Sequence, residues 1–220
     1  MININSFKRN VFSQNGEDGL IEFILGRLPC DKWCCEFGAW DGKYLSNTFN
    51  LVKNHDYKAV YIESDPEKFK SLQSTKLEYE NIIPLNYAVG FDDNSLDKLL
   101  TNTGIPIDFD ILSIDVDGID YSLWQSVKIY RPKLVIIEIN SSLDPDINYG
   151  AEELTVECLN TRTGVNFKTC LELGNSKEYT LFTHMGNMVF IDNKYRAVFG
   201  DTDILKDDIL KFDSRWLPKI

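Results

Sequence analysis

Short apolar runs alternate with amphipathic segments along most of the sequence, and this alternation leaves few folds open. Such runs are typical of strands buried on both faces, whereas apolar residues at every third or fourth position are typical of helices. Strands that alternate with helices form a parallel sheet with helices on both faces. The apolar runs lie at 33–37, 59–63, 82–85, 109–114 and 133–139, and the helical segments lie at 45–53, 66–77, 95–100 and 121–127.

Two further segments flank this core. Residues 17–28 carry an apolar stripe along one helical face, which predicts a helix laid over the sheet. Residues 179–184 and 188–191 lie on either side of a turn, which predicts a hairpin that closes the sheet with an antiparallel strand. We therefore predict one Rossmann-like α/β domain over residues 1–220, with an N-terminal cap region at 1–30 and a C-terminal tail at 201–220.

The charge and hydropathy of the chain argue against two classes of partner. The formal net charge is −11, and the sequence has no basic stripe that would neutralise a nucleic-acid backbone. No apolar stretch approaches the roughly 18 residues that span a membrane, and the N-terminus lacks the apolar core of a signal peptide. These observations predict a cytoplasmic protein that does not bind nucleic acid and does not span a membrane.

The cysteines and the tail bear on redox state and assembly. The five cysteines are odd in number and form no Cys-x-x-Cys pair, so we expect reduced thiols. Cys34 and Cys35 lie in a predicted central strand, where a structural role as small apolar side chains is favoured over a catalytic one.

The tail at 203–220, with Trp216 and Leu217, would either dock on its own domain or pair two chains in a homodimer.

The segment at 36–42, EFGAWDG, follows the first predicted strand and precedes a helical segment. In an open α/β sheet the ligand crevice lies beyond the carboxyl ends of the strands, and glycines there let the backbone approach a ligand. A dinucleotide fold has a glycine where Trp40 stands. The acids Glu36 and Asp41 do not suit a pyrophosphate but do suit the ammonium and sulfonium groups of S-adenosylmethionine. The segment therefore predicts a cationic cofactor.

Two more strand ends fit an adenosine. The second strand ends at Glu63, where a carboxylate can accept two hydrogen bonds from ribose hydroxyls, although a solvated acid at a strand end is the alternative. The third strand is followed by residues 86–90, whose polar and backbone groups, including those around Ala88, could bind the edge of an adenine. Asn and Gly in such a loop are also ordinary turn residues.

Carboxylates cluster after the fourth and fifth strands. Asp115, Asp117, Glu138 and Asn140 follow neighbouring parallel strands, so we expect them to converge. Asp115 and Asp117 could act as general base or hydrogen-bond acceptor for a substrate hydroxyl or amine. Alternatively, Asp115, Glu138 and Asn140 could bind Mg²⁺ or Mn²⁺. In a purely structural interpretation, Asp117 and Asp120 turn the chain and cap the next helix.

His184 is a further candidate base, because it lies just before the predicted hairpin turn. A hairpin histidine with a satisfied hydrogen bond explains the position equally well. Methyl transfer needs alignment more than a strong base, since the sulfonium is already a good leaving group and alignment contributes about 7–11 kcal/mol.

Taken together, these motifs resemble the FkbM-type family of S-adenosylmethionine-dependent methyltransferases over about residues 13–191. The resemblance rests on residues 13–18, 36–42, 46–48, 62–63, 113–118, 137–140 and 186–187. It implies a class I methyltransferase fold with a seven-stranded sheet, and small-molecule, natural-product or sugar hydroxyls as acceptors. The family's commoner first motif begins with Asp and has Asn in place of Trp40, so this chain departs from it there.

The resemblance also implies roles for particular residues. Glu36, Gly38 and Gly42 would line the methionine part of the cofactor, and Glu63 would bind the ribose. Gln14 and Asp18 would close over the cofactor. The full set of predicted cofactor-binding residues is Gln14, Asp18, Glu36, Gly38, Ala39, Asp41, Gly42, Ser46, Glu63, Ser64 and Ala88.

The sequence thus predicts an enzyme that transfers a methyl group from S-adenosylmethionine to a hydroxyl or amine of a small polar metabolite, for example a sugar or surface-glycan precursor. O-methylation is favoured. Two other functions stay open at this point. One is a nicotinamide-dependent oxidoreductase, and the other is a non-catalytic Rossmann-like binding domain.

Overall fold

A computed structural model describes residues 4–116, 118–146 and 164–200, and seven strands of this part form one sheet. The strand order is β3-β2-β1-β4-β5-β7-β6, where β1 to β5 are mutually parallel and β7 is antiparallel to both of its neighbours. The strands are β1 (Trp33–Phe37), β2 (Lys58–Ile62), β3 (Ile82–Leu85), β4 (Ile111–Ile114), β5 (Leu134–Glu138), β6 (Tyr179–Met185) and β7 (Asn187–Asp192). The predicted five parallel strands and closing hairpin are confirmed.

Seven α-helices lie in the described part of the chain, flanked by short 3₁₀ turns at Ile4–Phe7 and Ala197–Phe199. They are α1 (Glu17–Leu25), α2 (Phe49–Asn54), α3 (Pro66–Glu78), α4 (Leu96–Leu100), α5 (Asp120–Ser126), α6 (Phe167–Ser176) and α7 (Asn193–Arg196). The prediction was wrong at residues 45–48, which form a loop before α2 rather than its first turn. Helix α6 was not predicted.

Helices cover both faces of the sheet, as the sequence predicted. One apolar cluster packs α1, α2 and α3 on one face, and a second packs α4, α5 and α6 on the other. Adjacent strand residues point to opposite faces, so Cys34 belongs to the first cluster and Cys35 to the second. Burial raises the pKa of both thiols, which keeps them protonated and favours the structural role over a catalytic one.

A buried ion pair ties together the amino ends of the central strands. Lys133 is 2% exposed, and its Nζ lies 2.6 Å from Oδ1 of the fully buried Asp110 and 2.7 Å from Oδ2 of Asp31. The carboxylate of Asp110 also accepts bonds from the backbone N–H groups of Asp31 and Lys32. A buried carboxylate with this many donors is fully compensated, so the cluster fixes the end of the sheet opposite the predicted crevice.

No helix in the described ranges is long and apolar enough to cross a membrane. Several predictions fall on residues outside those ranges: Asp117, Cys158 and the tail at 201–220 with Trp216 and Leu217. The extent of the predicted domain and the homodimer stay predictions.

The confirmed architecture is therefore an α/β sheet of Rossmann-like type, mostly parallel and seven-stranded, with an antiparallel strand inserted near one edge. Strand β1 lies between β2 and β4, so the chain runs outward in one direction through β2 and β3 and in the other through β4 and β5. This reversal creates a crevice at the carboxyl end of β1, where such sheets bind ligands.

Candidate functional site

The loop after β1 fits against the end of β4 so closely that only glycine can occupy position 38. Gly38 has φ +78°, and a Cβ built on it would lie 1.7 Å from the carbonyl oxygen of Asp115. The N–H groups of Gly38 and Ala39 both donate to the carbonyl of Ile62 at 3.1 Å. The backbone after β1 is thereby held over the ends of both neighbouring strands, which forms the floor of a cleft.

The carboxylate of Glu63 is fixed at the end of β2. It is 4% exposed, and its two oxygens each accept one backbone N–H: Oε2 from Trp40 and Oε1 from Asp65, both at 2.8 Å. Asn86 donates to the backbone carbonyl of Glu63 at 2.8 Å, which holds the strand end from the β3 side. A carboxylate oxygen can accept more than one bond, so both oxygens keep the capacity to accept hydroxyl donors from a ligand.

Glu36, near the end of β1, is held by the loop that precedes α2. Its Oε2 accepts from Ser46 Oγ at 2.9 Å and from the N–H and Oγ1 of Thr48 at 3.1 and 2.5 Å. Burial raises the pKa of this carboxyl group, and these hydrogen bonds oppose the shift. They also explain why residues 46–48 leave the predicted helix: their polar groups bind Glu36 instead of continuing a helical turn.

These elements enclose a cleft of about 420 Å³, which is within the size range of small-molecule sites. Its charged lining consists of four carboxylates and one cation, Lys68. Apolar side chains of the lining come from the loop after β3 and from the segment after β4. The lining residues are Gln14, Glu36, Phe37, Gly38, Trp40, Tyr44, Leu45, Ile62, Glu63, Ser64, Lys68, Tyr87, Ala88, Val89, Asp115, Val116, Ile119, Leu123 and Glu138.

Large side chains stand at the mouth of this cleft on a strained backbone. Trp40 and Leu45 have φ +50° and +56°, a region that costs a residue with a Cβ about 1–2 kcal/mol. Trp40 is 46% exposed, and Lys68 Nζ lies 4.2 Å from its ring centroid. Tyr44 packs edge-on against it at 5.5 Å between ring centroids. The exposed indole therefore already has a cation on its face, an interaction that aromatic rings favour.

The structure brings together about half of the residues predicted for the site. Gln14, Glu36, Gly38, Glu63, Ser64, Ala88, Asp115 and Glu138 line the cleft. Asp18, Ala39, Asp41, Gly42, Ser46, Asn140 and His184 do not belong to its lining. Asp117 lies outside the described residues, so its predicted role stays a prediction.

The predicted residues off the cleft support those on it. Asp41 accepts from the N–H groups of Lys43 and Tyr44 at 2.9 and 2.7 Å, which shapes the turn after Trp40. Gly42 has φ +77°, and a Cβ there would meet Leu72 at 2.8 Å. Both residues set the path of the loop and do not belong to the lining of the cleft.

His184 and Asn140 lie beside the cleft at the ends of β6 and β5. His184 is 8% exposed, its Nε2 lies 3.3 Å from Ser141 Oγ, and its ring packs edge-on against Phe167. Asn140 accepts a bond from the N–H of Ser142 at 3.0 Å. Within the described ranges no three His, Cys, Asp or Glu residues form a group that could hold a metal ion. The predicted metal site at Asp115, Glu138 and Asn140 thus has no support.

Sequence reasoning missed several lining residues. The apolar residues Val116, Ile119 and Leu123 follow β4 at helical spacing, and that spacing was the available signal. Lys68 offered no such signal, because a lysine in the first turn of α3 is an ordinary surface residue in most helices.

Comparison with known proteins finds similarity of fold. No family model and no curated protein matches the chain, so membership of the FkbM-type family stays a prediction. Among solved structures, M. capricolum TrmK in complex with S-adenosyl-homocysteine gives a TM-score of 0.49 at 10% identity, covering 79% of this chain and 67% of that chain. A putative sarcosine dimethylglycine methyltransferase from Galdieria sulphuraria gives 0.46 at 11%, covering 75% and 62%. The N-terminal domain of EvdMO1 with S-adenosyl-homocysteine and D-fucose gives 0.47 at 11%, covering 83% of each.

At these identities and scores the similarity concerns the course of the backbone. The chain spans less than two thirds of the Galdieria protein.

Proposed function

We propose that the chain is an S-adenosylmethionine-dependent methyltransferase. One observation carries the proposal: a single cleft at the reversal point of the sheet combines the fixed carboxylate of Glu63, the close backbone approach at Gly38, an apolar lining and a surplus of negative charge. An adenosyl sulfonium needs all four, because it carries ribose hydroxyls, a flat base and a positive charge.

Each part of the cofactor has a residue set that fits it. Glu63 would accept the ribose hydroxyls, since both of its oxygens are oriented by backbone N–H groups. Ala88, Val89 and Val116 would pack on the adenine, because they line the cleft on the β3 and β4 sides. Glu36 would face the positively charged end. Asp18, Asp41, Gly42 and Ser46 would act by shaping the loops around it.

The acceptor would lie toward β4 and β5. Asp115 and Glu138 follow the paired residues Ile114 and Ile137 of these neighbouring strands, and both line the cleft. When bound, S-adenosylmethionine supplies a methyl group on a good leaving group. The chain then has to orient the acceptor and take up its proton, and a carboxylate oxygen of Asp115, which lines the cleft, would take up that proton.

We propose as acceptor a hydroxyl, or an amine, of a small polar metabolite such as a sugar or glycan precursor. Carboxylates outnumber cations in the lining, so an acceptor that carries phosphate groups would be repelled. Hydroxyl and amine donors would instead find acceptors at Asp115 and Glu138. His184 would act at most through Ser141 at the edge of this region.

A nicotinamide-dependent oxidoreductase is the main competing function. The antiparallel β7 departs from the all-parallel order of dinucleotide-binding sheets, and the side chain of Trp40 stands where those folds need a glycine. Neither feature favours a pyrophosphate at the loop after β1.

Isothermal calorimetry with S-adenosylhomocysteine tests the proposal. We expect saturable binding that is lost in Glu63→Gln and kept in Glu67→Gln, a surface variant on α3 whose partner is the exposed Lys70. Mass spectrometry of a panel of sugars and amines incubated with S-adenosylmethionine would then identify the acceptor. No binding of S-adenosylhomocysteine, together with thermal stabilisation by NAD(H), would replace the proposal with the oxidoreductase. Binding without any methylated product would favour a non-catalytic domain.

A further inference from the structure

The segment before α1 forms a closed loop that is built around one carboxylate. Oδ2 of Asp18 accepts from the successive N–H groups of Val11, Phe12 and Ser13 at 2.7–2.8 Å, and from Ser13 Oγ at 2.7 Å. Asp18 is 1% exposed, and within the described residues its Oδ1 has no hydrogen-bond partner. Three successive N–H groups that converge on an anion make a rigid concave turn, so the path of residues 11–13 is fixed.

The other side of the loop is fixed as well. Asn10 donates to the carbonyl of Gln14 at 2.7 Å, and the N–H of Asn15 donates to Glu17 Oε2 at 2.7 Å. Glu17 is fully buried and also accepts from Asn187 at the start of β7. The loop is thereby tied both to its own helix and to the closing hairpin.

Gln14 is the residue that this framework presents to the cleft. Its side chain is exposed and lines the cleft, while its backbone is held on both sides. In the described part of the chain its side-chain amide makes no hydrogen bond, so its donors and acceptor are available to a ligand. The loop contacts the β6–β7 turn, where a Cβ on Gly186 would lie 2.9 Å from Asn15. The loop thus extends from α2, where Phe12 packs on Phe49, to the β6–β7 turn, and Gln14 enters the cleft away from its β3 side.

We propose that Gln14 binds the amino-acid end of the cofactor and that Asp18 is its positioning residue, acting only through the loop. The inference rests on the proposed function, in which the adenosine lies on the β2–β3 side of the cleft. The amino-acid end of the cofactor would then lie on the other side. Asp18 does not touch the ligand. Its carboxylate pre-organises Gln14, which lowers the entropy lost when the amide binds.

A double-mutant cycle measured by calorimetry tests this assignment. Gln14→Ala should weaken binding of S-adenosylhomocysteine about three- to tenfold, the effect of one lost hydrogen bond. Asp18→Asn should weaken binding similarly, and the double variant should be no weaker than Gln14→Ala. Binding of 5′-methylthioadenosine, which lacks the amino-acid end, should be unchanged in all three.

The chain offers a matched control for Asp18. Asp97 is 9% exposed, lies away from the cleft and accepts bonds from the three successive N–H groups of Lys128, Ile129 and Tyr130. Asp97→Asn should lower stability as Asp18→Asn does, yet leave both affinities unchanged. If Asp18→Asn does not fold, Ser13→Ala removes one donor to the same oxygen and takes its place.

The outcomes separate the two proposals. If the wild-type chain binds neither probe, the proposed function fails and this inference fails with it. If the wild-type chain binds S-adenosylhomocysteine but the two effects add, or Gln14→Ala has no effect, the positioning role is refuted and the proposed function stands. An equal loss of affinity for both probes would place Gln14 at the adenosine and also refute the assignment.

Discussion

Gly38→Ala tests the packing that forms the floor of the cleft. The left-handed φ of +78° costs a residue with a Cβ about 1–2 kcal/mol. The new Cβ would also lie 1.7 Å from the Asp115 carbonyl oxygen, and real Cβ atoms essentially never come closer than 3.0 Å, so β1 and β4 must separate by about 1.3 Å. Forcing extra volume into a packed site typically costs another 1–3 kcal/mol. We expect a loss of about 3 kcal/mol in the free energy of unfolding.

Gly104→Ala separates the two contributions. Gly104 has almost the same backbone angle, φ +79°, but an added Cβ would meet no atom within 4 Å. The free energy of unfolding of this variant should fall by only about 1 kcal/mol, because the new Cβ strains the backbone angle but contacts no other atom. Urea unfolding followed by circular dichroism gives both values. Calorimetry should show binding of S-adenosylhomocysteine lost in Gly38→Ala and kept in Gly104→Ala. Equal losses of stability would refute the close approach of β1 and β4.

Three further variants test charges in the fold. Lys133→Met leaves the buried Asp110 without its cation and should lower the free energy of unfolding by about 3–5 kcal/mol in urea titrations; a loss under 1 kcal/mol would contradict the burial. Burial lowers the pKa of Lys177 to about 8, so above that pH the folded state loses this proton before the unfolded state does, and the free energy of unfolding should rise between pH 8 and 10. Lys177→Met should flatten this rise. An unchanged pH profile in the variant would contradict the burial of Lys177. Burial raises the pKa of Glu36 in the folded state, so the stabilisation that its carboxyl group contributes is lost as the pH rises through that raised pKa. Glu36→Gln should remove this loss of stability and should also weaken cofactor binding. Urea unfolding at two pH values checks the first effect, and calorimetry checks the second.

Ionic strength provides a test of the charge surplus in the cleft. S-adenosylmethionine carries a sulfonium that S-adenosylhomocysteine lacks, and the lining has four carboxylates against Lys68. Raising salt should therefore weaken binding of the charged ligand more than that of the neutral one, as measured by calorimetry at two salt concentrations. Equal salt dependence would show that the carboxylates do not act on the sulfonium.

The sheet could be predicted from the sequence because its signals are local. The runs at 33–37 and 133–139 are apolar enough to be buried on both faces, and burial on both faces fixes a parallel strand with little ambiguity. The loop at 45–48 could not be predicted in the same way. Its conformation depends on hydrogen bonds from Ser46 and Thr48 to Glu36, which lies ten and twelve residues away, and these bonds override helical periodicity.

The candidate site was predictable where strand ends determine it. Glu63 and Gly38 end or follow strands, so topology alone places them at one crevice. The position of Lys68 beside Trp40 depends on a tertiary contact that no local pattern in the sequence indicates. The bonds of Asp18 are local, because they come from residues 11–13, but no periodic pattern indicates them. The sequence predicts that Asp18 closes over the cofactor; in the structure its side chain accepts hydrogen bonds from the loop at 11–13.

The bond between Glu17 and Asn187 joins residues that are 170 positions apart. On a ribosome, the helix that carries Glu17 is made early, whereas its partner emerges only when most of the chain has been synthesised. Closing a loop of this length costs conformational entropy, so we expect this contact to form late in folding. The wall of the cleft around Gln14 is thus completed last, after β7 has joined the sheet beside β5.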